Sequence, residues 1–263
     1  CFVKQDIVYL SLGIVKPMSN RVRLFVETSL RKDGIIPLND KQKHYITKVM
    51  RLGLGNKLVV FNGKDGEWHA EITHISKRLC NIKIIRFVRK SENESDISLV
   101  FSLLKRGATD LLVEKAAELG VSRLCPMISK RTNTFKVNAN RLKAICIEAS
   151  EQCGRVTVPI IEQPKTLGNI LAEWPRQKGL LFLDESGSGK PILEVLREKT
   201  NWQAHAILVG PEGGFTPAER DKMLQNSFIR PATLGERLVR AETAAISALS
   251  IYNANMAIDH YKN

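Results

Sequence analysis

Two glycine-containing turns near the C-terminus, one βα unit apart, constrain this chain more than any other feature. The first, Gly210-Pro211-Glu212-Gly213-Gly214, directly follows the apolar run Ala206-Ile207-Leu208-Val209. The second, Leu234-Gly235-Glu236-Arg237-Leu238-Val239-Arg240-Ala241-Glu242-Thr243, leads into an alanine-rich helix. Glycine adopts backbone angles that other residues avoid and lets a ligand approach the main chain closely. Two such turns at strand ends, with Glu and Arg beside them, predict a pocket for a small polar cofactor.

The pattern around the turns is one of alternating strands and helices. Strands are expected at 97–101, 122–127, 157–161, 180–183, 206–209 and 228–233. A helix at 109–119 is closed by Gly120, the favoured residue after a helix C-terminus. A longer helix at 138–152 carries Leu142, Ile145, Cys146 and Ala149 on one face. Thr216-Pro217-Ala218-Glu219 is a capping box with proline at the first helical position. The last helix, 242–260, is expected to bury Ala245, Leu249, Tyr252 and Met256. Repeated βα units imply an α/β domain with a mainly parallel sheet, whose ligands bind at the carboxyl ends of the strands.

The first third of the chain differs. Short strands are expected at 23–26, 57–61 and 79–88, with Trp68, Ala70 and Ile72 alternating against His69, Glu71 and Thr73, and one helix at 41–52. Charge divides along the same line. Residues 18–90 carry 16 Lys and Arg against 6 Asp and Glu, whereas residues 91–263 carry 22 against 20. A small basic strand-rich domain attracts a polyanion, and a phosphate backbone is the usual one. The expected organisation is an N-terminal extension at 1–17, a basic barrel at 18–90, a polar linker at 91–96 and an α/β domain at 97–263. The extension is set apart because its composition is unusual, and translation is expected to begin at Met18.

Several chemistries are excluded by spacing. Asp184-Glu185-Ser186-Gly187-Ser188-Gly189-Lys190-Pro191 resembles a phosphate-binding loop but has Asp184 for the first glycine and Pro191 where Ser or Thr holds magnesium. No G-x-G-x-x-G follows the first strand of the α/β half. The five cysteines and five histidines have no metal-ligand spacing, so no metal is expected. No apolar stretch approaches the length of a membrane span, and scattered cysteines fit a reducing cytoplasm.

The paired turns, Gly210 to Thr216 and Leu234 to Ala244, resemble the RsmE-type enzymes. These are SPOUT-superfamily methyltransferases acting on uracil N3 in 16S ribosomal RNA. Lys105-Arg106-Gly107, Val113 to Val121 and Glu151-Gln152-Cys153-Gly154-Arg155 extend the likeness. His44 to Leu52, with Gly55 and Phe61-Asn62-Gly63, is similar to the family's PUA-like RNA-binding barrel. Departures are mild: Asn56 and Asn62 stand where Asp is common, Lys130 replaces a frequent Glu, and Val239 replaces Leu.

The resemblance implies a trefoil knot in the C-terminal domain, S-adenosyl-L-methionine as cofactor and a homodimer. It also implies a 16S rRNA or small-subunit partner, with a uridine near position 1498 as target. The cofactor residues it carries over are Leu183, Gly210, Glu212, Gly213, Leu234, Gly235, Leu238 and Arg240. Arg240, Glu242 and Arg106 become catalytic candidates: N3 must lose a proton, which calls for a base or for charge that stabilises the uracil anion. Glu242 has the alternative of favouring the dipole at the start of the last helix. Arg21, Arg23, Lys43, Lys48 and Arg51 are candidate phosphate contacts. Two other readings stand beside this one: a non-catalytic RNA-binding assembly factor on the same fold, and transfer to a tRNA ribose, which the second motif disfavours.

Overall fold

The computed structural model describes residues 22–90, 96–134 and 136–261. The expected extension, Arg21 and most of the expected linker lie outside them.

The basic segment folds into a five-stranded sheet from β1 (Arg23–Phe25), β2 (Ile35–Pro37), β3 (Lys57–Phe61), β4 (Glu67–Ile75) and β5 (Cys80–Arg89), in the order β1-β3-β4-β5-β2. β1 and β3 run parallel, and the other pairs are antiparallel. Val22, Leu24, Val60, Ala70, Ile72, Ile82 and Ile84 fill its interior. The edge strand β2 escapes a sequence reading because it has only three residues and ends in proline, which only an edge tolerates.

The helix expected at 41–52 is shorter and changes form. Asn39 closes a capping box with Gln42 at the start of α1 (Asp40–His44), and the chain then enters a π-helical turn at Tyr45–Val49. The Met50 N–H donates to Tyr45 O at 2.9 Å, and Arg51 follows with a left-handed φ of 56°.

The second half alternates as expected. Its strands are β6 (Ser98–Ser102), β7 (Arg123–Ile128), β8 (Ile160–Ile161), β9 (Lys165–Thr166), β10 (Gly179–Leu183), β11 (Lys190–Pro191), β12 (Ala204–Val209) and β13 (Ile229–Thr233). Its helices are α2 (Arg106–Glu118), α3 (Ala139–Cys153), α4 (Leu167–Glu173), α5 (Ile192–Arg197), α6 (Pro217–Leu224) and α7 (Ala241–Tyr261). The strand order is β11-β13-β10-β12-β6-β7-β8, with β9 also on β7, and every described pairing is parallel.

Period-2 alternation divides the central strands between two cores. Leu99, Phe101, Leu181, Leu183, Ile207 and Val209 face α2, α3, α5 and α7. Val100, Leu180, Phe182, Ala206 and Leu208 face α4 and α6. Strands covered on both faces read as continuous apolar runs, which is why 180–183 and 206–209 stand out in the sequence.

Two expectations are corrected here. The strand at 157–161 shrinks to Ile160–Ile161, directly after Pro159, whose backbone has no N–H to give to a ladder. Met256 is exposed, although Ala245, Leu249 and Tyr252 are buried as expected. Near the end of α7 the inward position passes to Asn255, whose Oδ1 accepts from Arg197. No helix among the described residues is long and apolar enough to cross a membrane.

Candidate active site

Strand register brings the two glycine turns together. β10 lies between β12 and β13, with Phe182 opposite Leu208 and Leu183 opposite Ala232. Leu183 therefore ends its strand with Gly210 leaving β12 on one side and Leu234 following β13 on the other. Between them opens a cavity of about 970 Å³. Its floor is apolar, from Leu183, Val209, Ala232, Leu234 and Ala244, and its walls carry Glu185, Glu212, Glu236, Arg131, Arg237 and Arg240.

All eight carried-over cofactor positions line this cavity: Leu183, Gly210, Glu212, Gly213, Leu234, Gly235, Leu238 and Arg240. Their local reasons differ. A Cβ on Gly210 would come within 2.7 Å of the Phe215 ring, so the missing side chain there serves packing. Gly213 would meet only Arg131, at 3.6 Å, and Gly235 nothing within 4 Å, so both leave the main chain open to the cavity. Gly235 also has φ of 118°, which disfavours any side chain. Leu238 is 84% exposed on the open second turn.

The first turn is held in part by residues that sequence reading passed over, Arg131 and Arg220. Arg131 Nη1 donates to Gly213 O at 2.8 Å, and the Lys130 N–H donates to Glu219 Oε1 at 2.8 Å. The Glu185 carboxylate accepts from the Phe215 N–H, and Glu219 completes the capping box with Thr216. Behind them, the buried Asp184 accepts from Ser186 N–H, from the hydroxyls of Ser186 and Ser188, and from Arg220 on α6. Burial pushes the Asp184 carboxyl upward, but the Arg220 guanidinium and the serine donors outweigh it and hold it below the usual value. The segment that mimics a phosphate loop is thus a wall of the cavity. Its one sequence signal was an acidic residue ending an apolar strand, followed by short donors.

Of the catalytic candidates, Arg240 lines the cavity, and its carbonyl accepts the first helical bond of α7 from Ala244 N–H at 2.8 Å. Arg106 is the first residue of α2, exposed and off the cavity lining; α2 starts three residues earlier than expected. Glu242 lies in the first turn of α7, off the lining, and is only 8% exposed. Among the described residues its carboxylate has no hydrogen bond or ion pair.

Among the barrel candidates, Lys48 and Arg51 are exposed without ion pairs among the described residues, and Lys43 Nζ donates to Lys77 O. Arg23 is corrected: it is buried, paired with Glu67 and bonded to carbonyls of α3 and the loop after it, so it offers nothing to a phosphate. Its place in β1 explains this, since Leu24 points into the barrel and Arg23 away, toward α3. No group of three His, Cys, Asp or Glu among the described residues is placed to hold a metal.

Comparison with known proteins agrees with this architecture. A family profile for an RNA methyltransferase domain matches residues 91–253, and one for an RNA methyltransferase PUA domain matches residues 38–85. The ribosomal RNA small subunit methyltransferase E of Rickettsia conorii is 32% identical over 230 residues, 87% of this chain and 93% of its own. The enzyme of that name from Neisseria gonorrhoeae, solved bound to S-adenosyl methionine, has TM-score 0.77 at 26% identity, covering 89% of this chain and 97% of its own. A methyltransferase from Legionella pneumophila, solved with the cofactor SAM, has TM-score 0.78 at 26% identity over 89% and 97%. With both domains matched along most of its length, the chain belongs to the RNA methyltransferase family of the RsmE type.

Proposed function

We propose that this protein transfers a methyl group from S-adenosyl-L-methionine to N3 of a uracil in 16S ribosomal RNA. The observation that carries this is the register that sets Leu183 between two glycine turns around one cavity with Arg240 in its wall.

The residues fit that cofactor. A cavity of about 970 Å³ is at the upper end of small-molecule sites. Its apolar floor suits an adenine, and the open main chain at Gly213 and Gly235 suits hydrogen bonds to base and ribose. Glu185, Glu212 and Glu236 suit a cation and hydroxyl groups. When bound, the cofactor supplies an electrophilic methyl on a positively charged sulfur.

The chain's own residues do the rest. Arg240, at the cavity wall, offsets negative charge building on the uracil as N3 gives up its proton. Glu242 takes or relays that proton. Its place in the first turn of α7, the helix whose Ala241 and Ala244 line the cavity, supports this. Arg106 joins them as an RNA contact. Lys43, Lys48 and Arg51 hold phosphates. N3 lies on the Watson–Crick edge, so the target must be unpaired or splayed out.

The reading includes the family's trefoil knot and homodimer. Exposed Leu238, Val239, Met256 and Ile258 supply apolar surface for self-association.

Mass-spectrometric mapping of 16S rRNA from cells with and without the gene tests the activity. The expected result is a 3-methyluridine near position 1498 that disappears with the gene. It returns with the wild-type protein but not with Glu242→Ala. An unchanged modification map refutes the reaction.

A further inference from the structure

Three charged side chains tie the basic barrel to the α/β domain. Glu67 Oε1 accepts from Arg23 Nε at 2.8 Å and Glu67 Oε2 accepts from Arg89 Nε, with the Arg23 and Glu67 side chains only 4% and 7% exposed. The other guanidinium nitrogens cross between the domains. Arg23 Nη1 donates to the carbonyls of Ser150 (2.7 Å) and Glu151 (3.1 Å), and Nη2 to that of Arg155 (2.9 Å). Arg89 Nη2 donates to Gly154 O. The last carbonyls of a helix lack partners within it and carry the negative end of its dipole, so the end of α3 suits two guanidiniums. In the opposite direction, Glu151 Oε1 accepts from the Phe25 N–H at 2.8 Å.

The connection continues into the catalytic half. Arg155 Nη1 donates to Ala117 O (2.8 Å) and Val121 O (2.9 Å), at the end of α2, the helix that begins at Arg106. Asn253 on α7 donates to Leu119 O at 2.7 Å, and the first turn of α7 lines the cavity. A row of directional bonds therefore runs from β1 through the end of α3 to the C-terminal end of α2 and to Asn253 on α7, the helix whose first turn lines the cavity.

We propose that Arg23, Glu67 and Arg89 are positioning residues that lock the barrel at one orientation to the cavity, so that RNA held on the barrel presents its target base at the cavity mouth. This rests on the RNA-methylating reading above. Buried ion pairs add little net stability compared with apolar packing of the same volume. What this cluster adds is direction: a guanidinium meeting three separate carbonyls has one acceptable pose, whereas an apolar contact tolerates sliding.

The test uses the full chain with Glu67→Gln, Arg23→Lys and Arg89→Lys. Lysine keeps the charge but loses the fork. Calorimetry reads S-adenosylmethionine binding, and methyl transfer to small-subunit rRNA reads kcat/KM for RNA. The expected cofactor Kd stays within about twofold of wild type, as for independent distant sites. Meanwhile kcat/KM for RNA falls about 100-fold, the scale of a 1 Å misplacement. Arg23→Lys is expected to be as impaired as Glu67→Gln.

Unchanged kcat/KM for RNA in the folded variants overturns the proposal, and so does cofactor binding that weakens in parallel. Should Glu67→Gln not fold, Arg89→Lys, at a half-exposed position, gives the same reading. If the wild-type protein transfers no methyl to rRNA, the reaction reading fails and thermal unfolding decides the clamp. One transition that splits in two in the variants supports it, and a single unchanged transition overturns it.

Discussion

The carboxylate of Glu185 accepts the Phe215 N–H at 2.7 Å, and in doing so fastens the first glycine turn to the loop that leaves β10. That contact depends on the glycine next to Phe215. Gly214 has φ of 67°, and a Cβ there would stand 2.4 Å from Glu185 Oε1. Gly214→Ala must therefore displace Glu185 as well as strain the backbone by ~1–2 kcal/mol. The expected outcome is a loss of about tenfold in S-adenosylmethionine affinity, at ~1.4 kcal/mol per decade. Titration calorimetry checks it, and Glu185→Ala should show a loss of the same order.

Gly213 gives the cleaner probe of the cavity. Its φ is not left-handed, and an added side chain meets only the flexible Arg131. Gly213→Val should leave the melting temperature within a few degrees of wild type, because substitutions away from cores shift stability by only about 0.5 kcal/mol. Cofactor binding should fall below detection. A variant that melts normally and still binds would place the ligand elsewhere.

The glycine turns were legible because each is local: an apolar strand, a Gly cluster and a helix start within a dozen residues. The sheet around them was legible for the same reason, since β10 and β12 are apolar on both faces. Arg23 was misread because a basic residue in a short strand looks the same whether it faces solvent or a helix end. Only the placement of α3 decides which. Asp184 and Glu185 stood out in the sequence only as part of a segment that fails the phosphate-loop pattern, because their partners, Arg220 and Phe215, lie 36 and 30 residues away. Glu242 was picked out by resemblance, and no local pattern distinguishes a carboxylate that acts in chemistry from one that only suits the start of a helix.

Asp184 tests the wall of the cavity. Its side chain is fully buried, and Arg220 reaches it at 2.8 Å. Asp184→Asn leaves Arg220 without its counter-charge, and breaking such a pair on one side costs ~3–5 kcal/mol. Arg220→Met should be similarly harmful, and the double variant less so than the sum, which chemical denaturation of the three proteins would measure. Additive losses would show that the serine donors alone hold Asp184.

Glu151 predicts a pH dependence. Burial first, then the neighbouring Glu148 charge, push its carboxyl up to about 7, against the lowering effect of the Phe25 N–H and Arg23. In the unfolded chain it titrates near the ordinary value of about 4.3. Between these two values the folded protein holds the extra proton, so stability falls as pH rises through this window and levels off above about 7. Glu151→Gln keeps an acceptor for Phe25 and removes the titration. It should flatten the denaturation midpoint between pH 5 and 7 and be the more stable form at pH 8, by ~3–4 kcal/mol at about 1.4 kcal/mol per unit over the gap between about 4.3 and about 7. A wild-type midpoint that rises across that range would refute the assignment.

Glu242 separates a structural from a functional role by what its neutral variant keeps. As a favourable charge at the start of α7 it contributes ~0.3–1 kcal/mol. Glu242→Gln keeps the shape of the side chain and should therefore lose no more than about 1 kcal/mol of stability. Methyl transfer should be lost, while cofactor binding persists because Glu242 is off the cavity lining. A destabilised variant that still methylates its RNA would make Glu242 a helix-start residue and nothing more. A nearly unchanged melting temperature joined to a loss of turnover is the pattern expected of a group that acts in the chemistry and not in the fold.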